Sequence, residues 1–259
     1  MTSYPVDDVA RVGRRILIWR LAGLVLGLVA AILLATGPPS RLGVNTALAV
    51  PAFALGLLAG VILGEVTGRA PAGATRTATL EVRTATAFLP RRMTGLVAGL
   101  AVLAAAFYTA TTLAAGPDDL GRAGRALTVT CDDVTVSNTP WPGEFYTFPI
   151  ALAMLAGLTA AGFATWAVVR RRRPVADEAG RAADDAVRRT AARAIVAACG
   201  VLVCAPLAGS AAVAAGALGN IPCPSPVYPV THWASLAIAL VTGLLTCVFT
   251  AFTLRPGTR

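Results

Sequence analysis

The chain has 259 residues, 56% of them hydrophobic and 14% charged, with a formal net charge of +9. An average soluble domain carries about 25% charged residues, so this composition, with a mean hydropathy of +0.70, excludes an ordinary soluble domain. All 22 basic residues are arginine, so arginine's preference for phosphate says nothing about any one of them.

The apolar residues fall into six stretches, and the first is Leu21–Thr36, preceded by a basic segment, residues 1–20. That segment resembles the basic region of a signal peptide. The apolar core after it is long for one, however, and "ATGPPS" is a poor cleavage site, which predicts an uncleaved anchor. The remaining cores are Ala47–Gly64, Gly95–Ala115, Phe148–Val169, Ile195–Gly216 and Ala234–Leu254. A bilayer core of about 30 Å needs about 20 apolar residues at about 1.5 Å each. Flanking residues extend the two short cores, giving predicted spans at 16–36, 47–66, 95–115, 148–169, 195–216 and 234–254. None of the six apolar cores contains Asp, Glu, Arg or His, whereas a soluble helix of that length would show a polar face. The prediction is an all-α fold: a polytopic helix bundle with six transmembrane helices and both termini cytoplasmic. Residues 1–20 form its cytoplasmic N-terminal segment, 21–255 the membrane domain and 256–259 a cytoplasmic tail. No segment outside the membrane is long enough to build a core of its own.

Charge sets the predicted orientation. With the N-terminus inside, nineteen arginines fall in the inner segments, and only Arg41, Arg122 and Arg125 fall outside. That is the positive-inside pattern, in loops short enough for the rule to apply. It predicts that loops 116–147 and 217–233 are extracytoplasmic. Arg91 and Arg92, and the run Arg170, Arg171, Arg172 and Arg173, are the topology-determining clusters. The run continues into "DEAGRAADDAVRRTAARA", where Asp177/Arg181, Asp184/Arg188 and Asp185/Arg189 are spaced i,i+4 with the acid N-terminal. That order supports a cytoplasmic helix leading into the fifth span. Anionic lipid headgroups suit such clusters, at about 1 kcal/mol per basic residue near the surface. Nucleic acid does not, because no aromatics interleave to stack bases and acids cancel half of the run's charge.

On the outer side, Cys131 in "LTVTCDDVTVSNTPWPGEFY" and Cys223 in "GNIPCPSPVYPVTHW" face the same compartment. An oxidising exterior favours a disulfide between them, tying two loops together; the alternative is two free thiols. Trp141, Phe145, Tyr146, Tyr228 and Trp233 in these loops suit an interfacial aromatic belt or a ligand or partner surface. Asp118, Asp119, Asp132 and Asp133 lack the spacing of a calcium loop and read as solvated acids. Cys199, Cys204 and Cys247 lie within spans and read as small buried fillers.

Missing residues exclude several chemistries. A single histidine, His232, is too few for paired-histidine haem ligation or a histidine zinc site. No carboxylate lies within an apolar core to act as a proton or sodium site. Glu65, at the inner end of the second span, is placed to cap or to pair with an arginine such as Arg69. Ser210 lacks an accompanying base, and no P-loop, dinucleotide or kinase signature is present. No catalytic residue, cofactor or metal is therefore assigned. Weakly polar groups remain in the spans: Tyr108, Thr111 and Thr112 in the third, and Thr242, Thr246 and Thr250 at i,i+4 spacing in the sixth. They would line a polar pathway or, as such hydroxyls more often do, bond backbone and neighbouring helices. Glycines 23 and 27, 56, 60 and 64, and 95 and 99 form small-xxx-small patterns for close helix contact. Pro51 and Pro206 are expected to bend their helices.

At "RTATLEVRTATAFLPRR", "GRALTVTC…PWPGEFY" and "DDAVRRTAARAIVAACG" the chain resembles uncharacterised multipass integral membrane proteins of actinobacteria. The resemblance implies a cytoplasmic-membrane location and no particular activity. Two functions are expected: a non-enzymatic accessory, scaffold or regulatory membrane component, or alternatively a transporter or permease subunit for a neutral or amphipathic solute. The second would work with a separate ATPase docked through the 76–92 linker.

Overall fold

The computed structural model describes residues 6–37, 43–67, 88–132, 134–170 and 178–255. Arg41, Arg69, Arg76, Arg83, Asp133, Arg171, Arg172, Arg173, Asp177 and the 256–259 tail lie outside them. The elements in order are α1 (Val6–Thr36), α2 (Val44–Thr67), α3 (Arg91–Leu113), β1 (Leu127–Cys131), β2 (Val134–Asn138), α4 (Glu144–Val169), α5 (Glu178–Gly219) and α6 (Val227–Leu254). All six helices are long and apolar enough to cross a membrane, so the architecture is that of an all-α multipass membrane protein. The i→i−4 ladder keeps every interior backbone group satisfied, which is why apolar stretches of this length become helices in lipid. One end of the bundle, the hairpin end, holds the ends of α1, α3 and α5 and the two β-strands that follow α3. The opposite end holds the start of α1, the ends of α2, α4 and α6, and the start of α3.

α5 is the hub. It packs against α2, α3, α4 and α6, and Ala197, Ala198, Val201, Leu202, Cys204 and Leu207 are buried along it. Its small side chains let neighbouring helices come close, which matters because apolar surface gains nothing by leaving lipid and packing must supply the attraction. α1 packs chiefly on α2, through a glycine seam. A Cβ on Gly23 would meet the Gly60 Cα at 2.6 Å, and one on Gly56 would meet the Gly27 Cα at 2.5 Å. Only hydrogen fits at these crossings. Gly64 sits against Ile16 and Trp19, whereas Gly95 and Gly99 on α3 have nothing within 4 Å. The same spacing thus makes a helix contact on α1 and α2 and makes none on α3.

Three features depart from the expectations. Loop 116–147 is partly ordered as an antiparallel hairpin, with Leu127 opposite Asn138 and Cys131 opposite Val134. The turn takes Asp132 to φ 51°, a left-handed conformation that Asp tolerates. Cys247 is exposed rather than a buried filler; Cys199 and Cys204 are buried. Arg20, placed by sequence in the flank of the first span, is drawn into the protein at 3% exposure. Its Nη2 donates to Glu65 Oε1 at 2.5 Å, and its Nη1 donates to the carbonyls of Thr253 and Arg255 at 3.0 and 3.3 Å. Glu65, also 3% exposed, therefore takes Arg20 as its partner. This pair clamps α1, α2 and the end of α6 together.

A second arginine acts similarly nearby. Arg188 is 2% exposed. Its Nε donates to Asp184 Oδ2 at 2.8 Å, so that predicted i,i+4 pair forms. Its Nη1 donates to the Val168 and Val169 carbonyls at 3.2 and 2.6 Å. These are among the carbonyls at the C-terminus of α4 that have no helical partner, and a cation there also suits the helix dipole.

Candidate ligand cavity at the hairpin end

The Cys131–Cys223 disulfide is present, with a Cα–Cα distance of 5.6 Å across 92 residues, within the usual span for such a bond. It fastens the β-hairpin to the segment between α5 and α6. Below it, the hairpin rests on the end of α5: Asn138 Nδ2 donates to the Ala217 carbonyl at 3.0 Å, and Leu127 and Trp141 pack with Ala214, Ala217 and Leu218. Trp141 is 4% exposed, and its indole N–H donates to the Thr111 carbonyl at 2.8 Å. Trp141 is therefore an anchor between the loop and α3, not a member of an aromatic belt. Trp233, at 65% exposure, is placed as a belt residue would be.

Beside this anchor lies a cavity of about 540 Å³, within the range of about 300–1,000 Å³ common for small-molecule sites. Its apolar wall includes Ala47 and Val50 of α2, Ile150 of α4, and Pro206 and Val213 of α5. Pro206 has no N–H, so it leaves the Leu202 carbonyl without its helical donor. Gly209 opens the wall further: a Cβ there would meet only Val50 Cγ2, at 4.0 Å. The polar side is formed by Ser210, Tyr146, Thr139 and a charged loop holding Asp118, Asp119, Arg122 and Arg125.

The loop charges differ in how they are held. Asp118 Oδ1 accepts from the backbone N–H groups of Leu120 and Arg122 at 3.1 and 2.9 Å, and Oδ2 accepts from Arg122 Nε at 2.8 Å. Burial alone would raise the Asp118 carboxyl, but the donors from Arg122 and Leu120 outweigh it and hold the group below its ordinary value of 3.8. Asp118 and Arg122 thus neutralise each other, while Asp119 is exposed at the rim. Arg125 is half-buried, with its guanidinium carbon 3.9 Å from the Phe145 ring centroid. Its Nε and Nη1 are buried and find no acceptor among the described residues.

The predicted polar groups lie outside the cavity wall. Thr242, Thr246 and Thr250 donate to the carbonyls one turn back, Ile238, Thr242 and Thr246, at 2.6 to 2.8 Å. Thr111 donates to the Tyr108 carbonyl at 3.2 Å, and the Thr112 and Thr147 hydroxyls pair at 3.1 Å between α3 and α4. Two of them are linked to residues that line it: the Tyr108 hydroxyl lies 3.5 Å from that of Ser210, and the Thr111 carbonyl accepts from the indole of Trp141. His232 Nδ1 lies 2.7 Å from the Ala215 carbonyl, joining α6 to α5. Arg91 and Arg92 are exposed at the start of α3, and Arg170 stacks over Trp166 at 4.7 Å. Among the described residues, no group of three His, Cys, Asp or Glu side chains could hold a metal ion.

Sequence reasoning did not anticipate Arg125 or the cavity. The available signal was "GPDDLGRAGRA" at 116–126, which concentrates charge between two apolar stretches and beside a Trp–Pro segment. The hairpin had a plainer one, the alternating "LTVTC" and "VTVSN" across a two-residue Asp–Asp turn. Comparison with known proteins yields no match to this chain among family models, curated proteins or solved structures.

Proposed function

We propose that the protein is a non-enzymatic accessory or regulatory component of the cytoplasmic membrane that works by binding a ligand at its hairpin end. In this reading the hairpin end faces outward and the arginine-rich end faces the cytosol, as the distribution of arginine favours. The cavity of about 540 Å³ carries the proposal: it combines an apolar wall with a few convergent polar groups, the general character of a ligand site. The Arg20–Glu65 pair and the bonds from Arg188 to the Val168 and Val169 carbonyls at the opposite end support a bundle that stays closed there while the cavity fills.

A second reading, a permease subunit for an amphipathic solute, draws support from Pro206. The hub helix carries its backbone interruption in the cavity wall itself, where a helix able to flex would open a path. Most of the 76–92 linker, through which an ATPase would dock, lies outside the described residues. Reconstitution into liposomes separates the two. Saturable binding of an amphiphile without flux, lost in Gly209→Leu, supports the accessory role. Flux of a fluorescent amphiphile that Gly209→Leu abolishes, with an ATPase recovered on the intact protein, would replace it with the permease.

A further inference from the structure

We infer that the cavity takes an amphipathic anion, with a phosphate or carboxylate head on Arg125 and its hydrocarbon along α2, α4 and α5. The inference rests on reading the cavity as a ligand site and adds the chemical class of the ligand. Its basis is an imbalance in the charged loop. Of the four ionisable groups there, Asp118 and Arg122 are consumed by each other, and Asp119 stands exposed, where water screens it. The uncompensated charge in a partly desolvated position is Arg125, two of whose nitrogens meet no acceptor among the described residues. A buried donor without an acceptor is costly, and an anion supplying oxygen acceptors would remove that cost through charge-assisted, bidentate bonds. Stacking on Phe145, rather than any bond from Nε or Nη1 to the described residues, holds the guanidinium, so it can turn toward an anion in the cavity it lines.

The apolar half defines the rest of the ligand. Val50, Ile150, Pro206 and Val213 offer an acceptor nothing, so a small inorganic anion would leave that wall unused. A head group carrying a hydrocarbon chain satisfies both halves. The same chemistry comes from two sources, an anionic membrane lipid or a water-borne amphiphile.

The test uses the full-length protein in phosphatidylcholine nanodiscs, with empty nanodiscs and Gly209→Leu protein as blanks. Calorimetry follows n-decyl phosphate, n-decanol, n-decyltrimethylammonium and inorganic phosphate. Decyl phosphate is expected to bind saturably, at least about tenfold tighter than the other three. Arg125→Gln loses about tenfold or more of that affinity, and Arg125→Lys recovers part of it. Nanodiscs containing phosphatidylglycerol distinguish the sources: competition with decyl phosphate identifies a bilayer lipid, and undiminished binding identifies a water-borne ligand. Equal affinity for decyl phosphate and decyltrimethylammonium, or an unchanged affinity in Arg125→Gln, overturns the anion assignment and leaves the cavity reading standing. If none of the three amphiphiles binds saturably to the wild type, the cavity reading fails and the anion assignment with it.

Discussion

Arg20 at one end of the bundle and Arg125 at the other are the same side chain in opposite circumstances. Arg20 has a carboxylate and two carbonyls for its terminal nitrogens, only its Nε lacking an acceptor among the described residues, and through them it joins three helices. Arg125 finds no acceptor for its Nε and Nη1 among the described residues; it lies on an aromatic ring at the edge of a cavity. Burying a guanidinium costs several kcal/mol unless partners return it. Where they do, the residue serves the fold. Where they do not, the fold bears a cost that a ligand can relieve. The contrast separates a structural end of the molecule from a receptive one by what each guanidinium meets, not by how many arginines an end carries.

The sharpest way to break this comparison is to remove the partner of Arg20. Glu65→Ala leaves a buried charge uncompensated and is expected to lower stability by about 3–5 kcal/mol in equilibrium unfolding in mixed micelles. The double substitution Arg20→Met, Glu65→Leu should recover most of that loss, since apolar replacement of a buried pair is often neutral or stabilising. A drop under about 1 kcal/mol in Glu65→Ala would place the pair in water, not in the protein. At the other end, Cys131→Ser releases the hairpin, with an expected cost of about 2–4 kcal/mol, visible as faster proteolysis between 116 and 147. Proteolysis at the wild-type rate would mean that the seat of Trp141 and Leu127 on α5 holds the loop unaided.

Arg125→Gln should change stability by less than about 1 kcal/mol. The loss of stacking on Phe145, about 0.5–1 kcal/mol, is offset by no longer burying two unpaired donors. A loss comparable with that of Glu65→Ala would give Arg125 a structural partner and erase the contrast between the two ends. The smallest effect concerns acid. Asp118 has a depressed pKa in the folded state, so its contribution is fully present above its unfolded value near 3.8 and is lost as pH falls through the lower folded value. Hydrogen exchange of the Leu120 and Arg122 amides should accelerate only in that acidic window, and Asp118→Asn should abolish the pH dependence. Acceleration already at neutral pH would mean that the carboxylate does not hold these amides.

How much of this was legible in the sequence follows from the range of the physics involved. Lipid imposes one-dimensional rules, about 20 apolar residues per crossing and no unpaired charge at its centre, so the six helices could be found by reading along the chain. Two cysteines in loops at the same end were enough to propose Cys131–Cys223, because a disulfide needs only nearness and an oxidising side. The glycine pattern was visible, but its meaning was not: Gly23 and Gly60 interlock while Gly95 and Gly99 face outward, and only the neighbouring helix decides between those outcomes. Glu65 was correctly suspected of pairing with an arginine, but its partner lies 45 residues upstream on another helix. The orphaned nitrogens of Arg125 had no sequence signal of their own, since a missing partner is a property of everything packed around a group. Local solvent thus determined the helices, their number and the pairing of the hairpin end, whereas tertiary packing alone decided which buried arginine is satisfied and which is left facing a cavity.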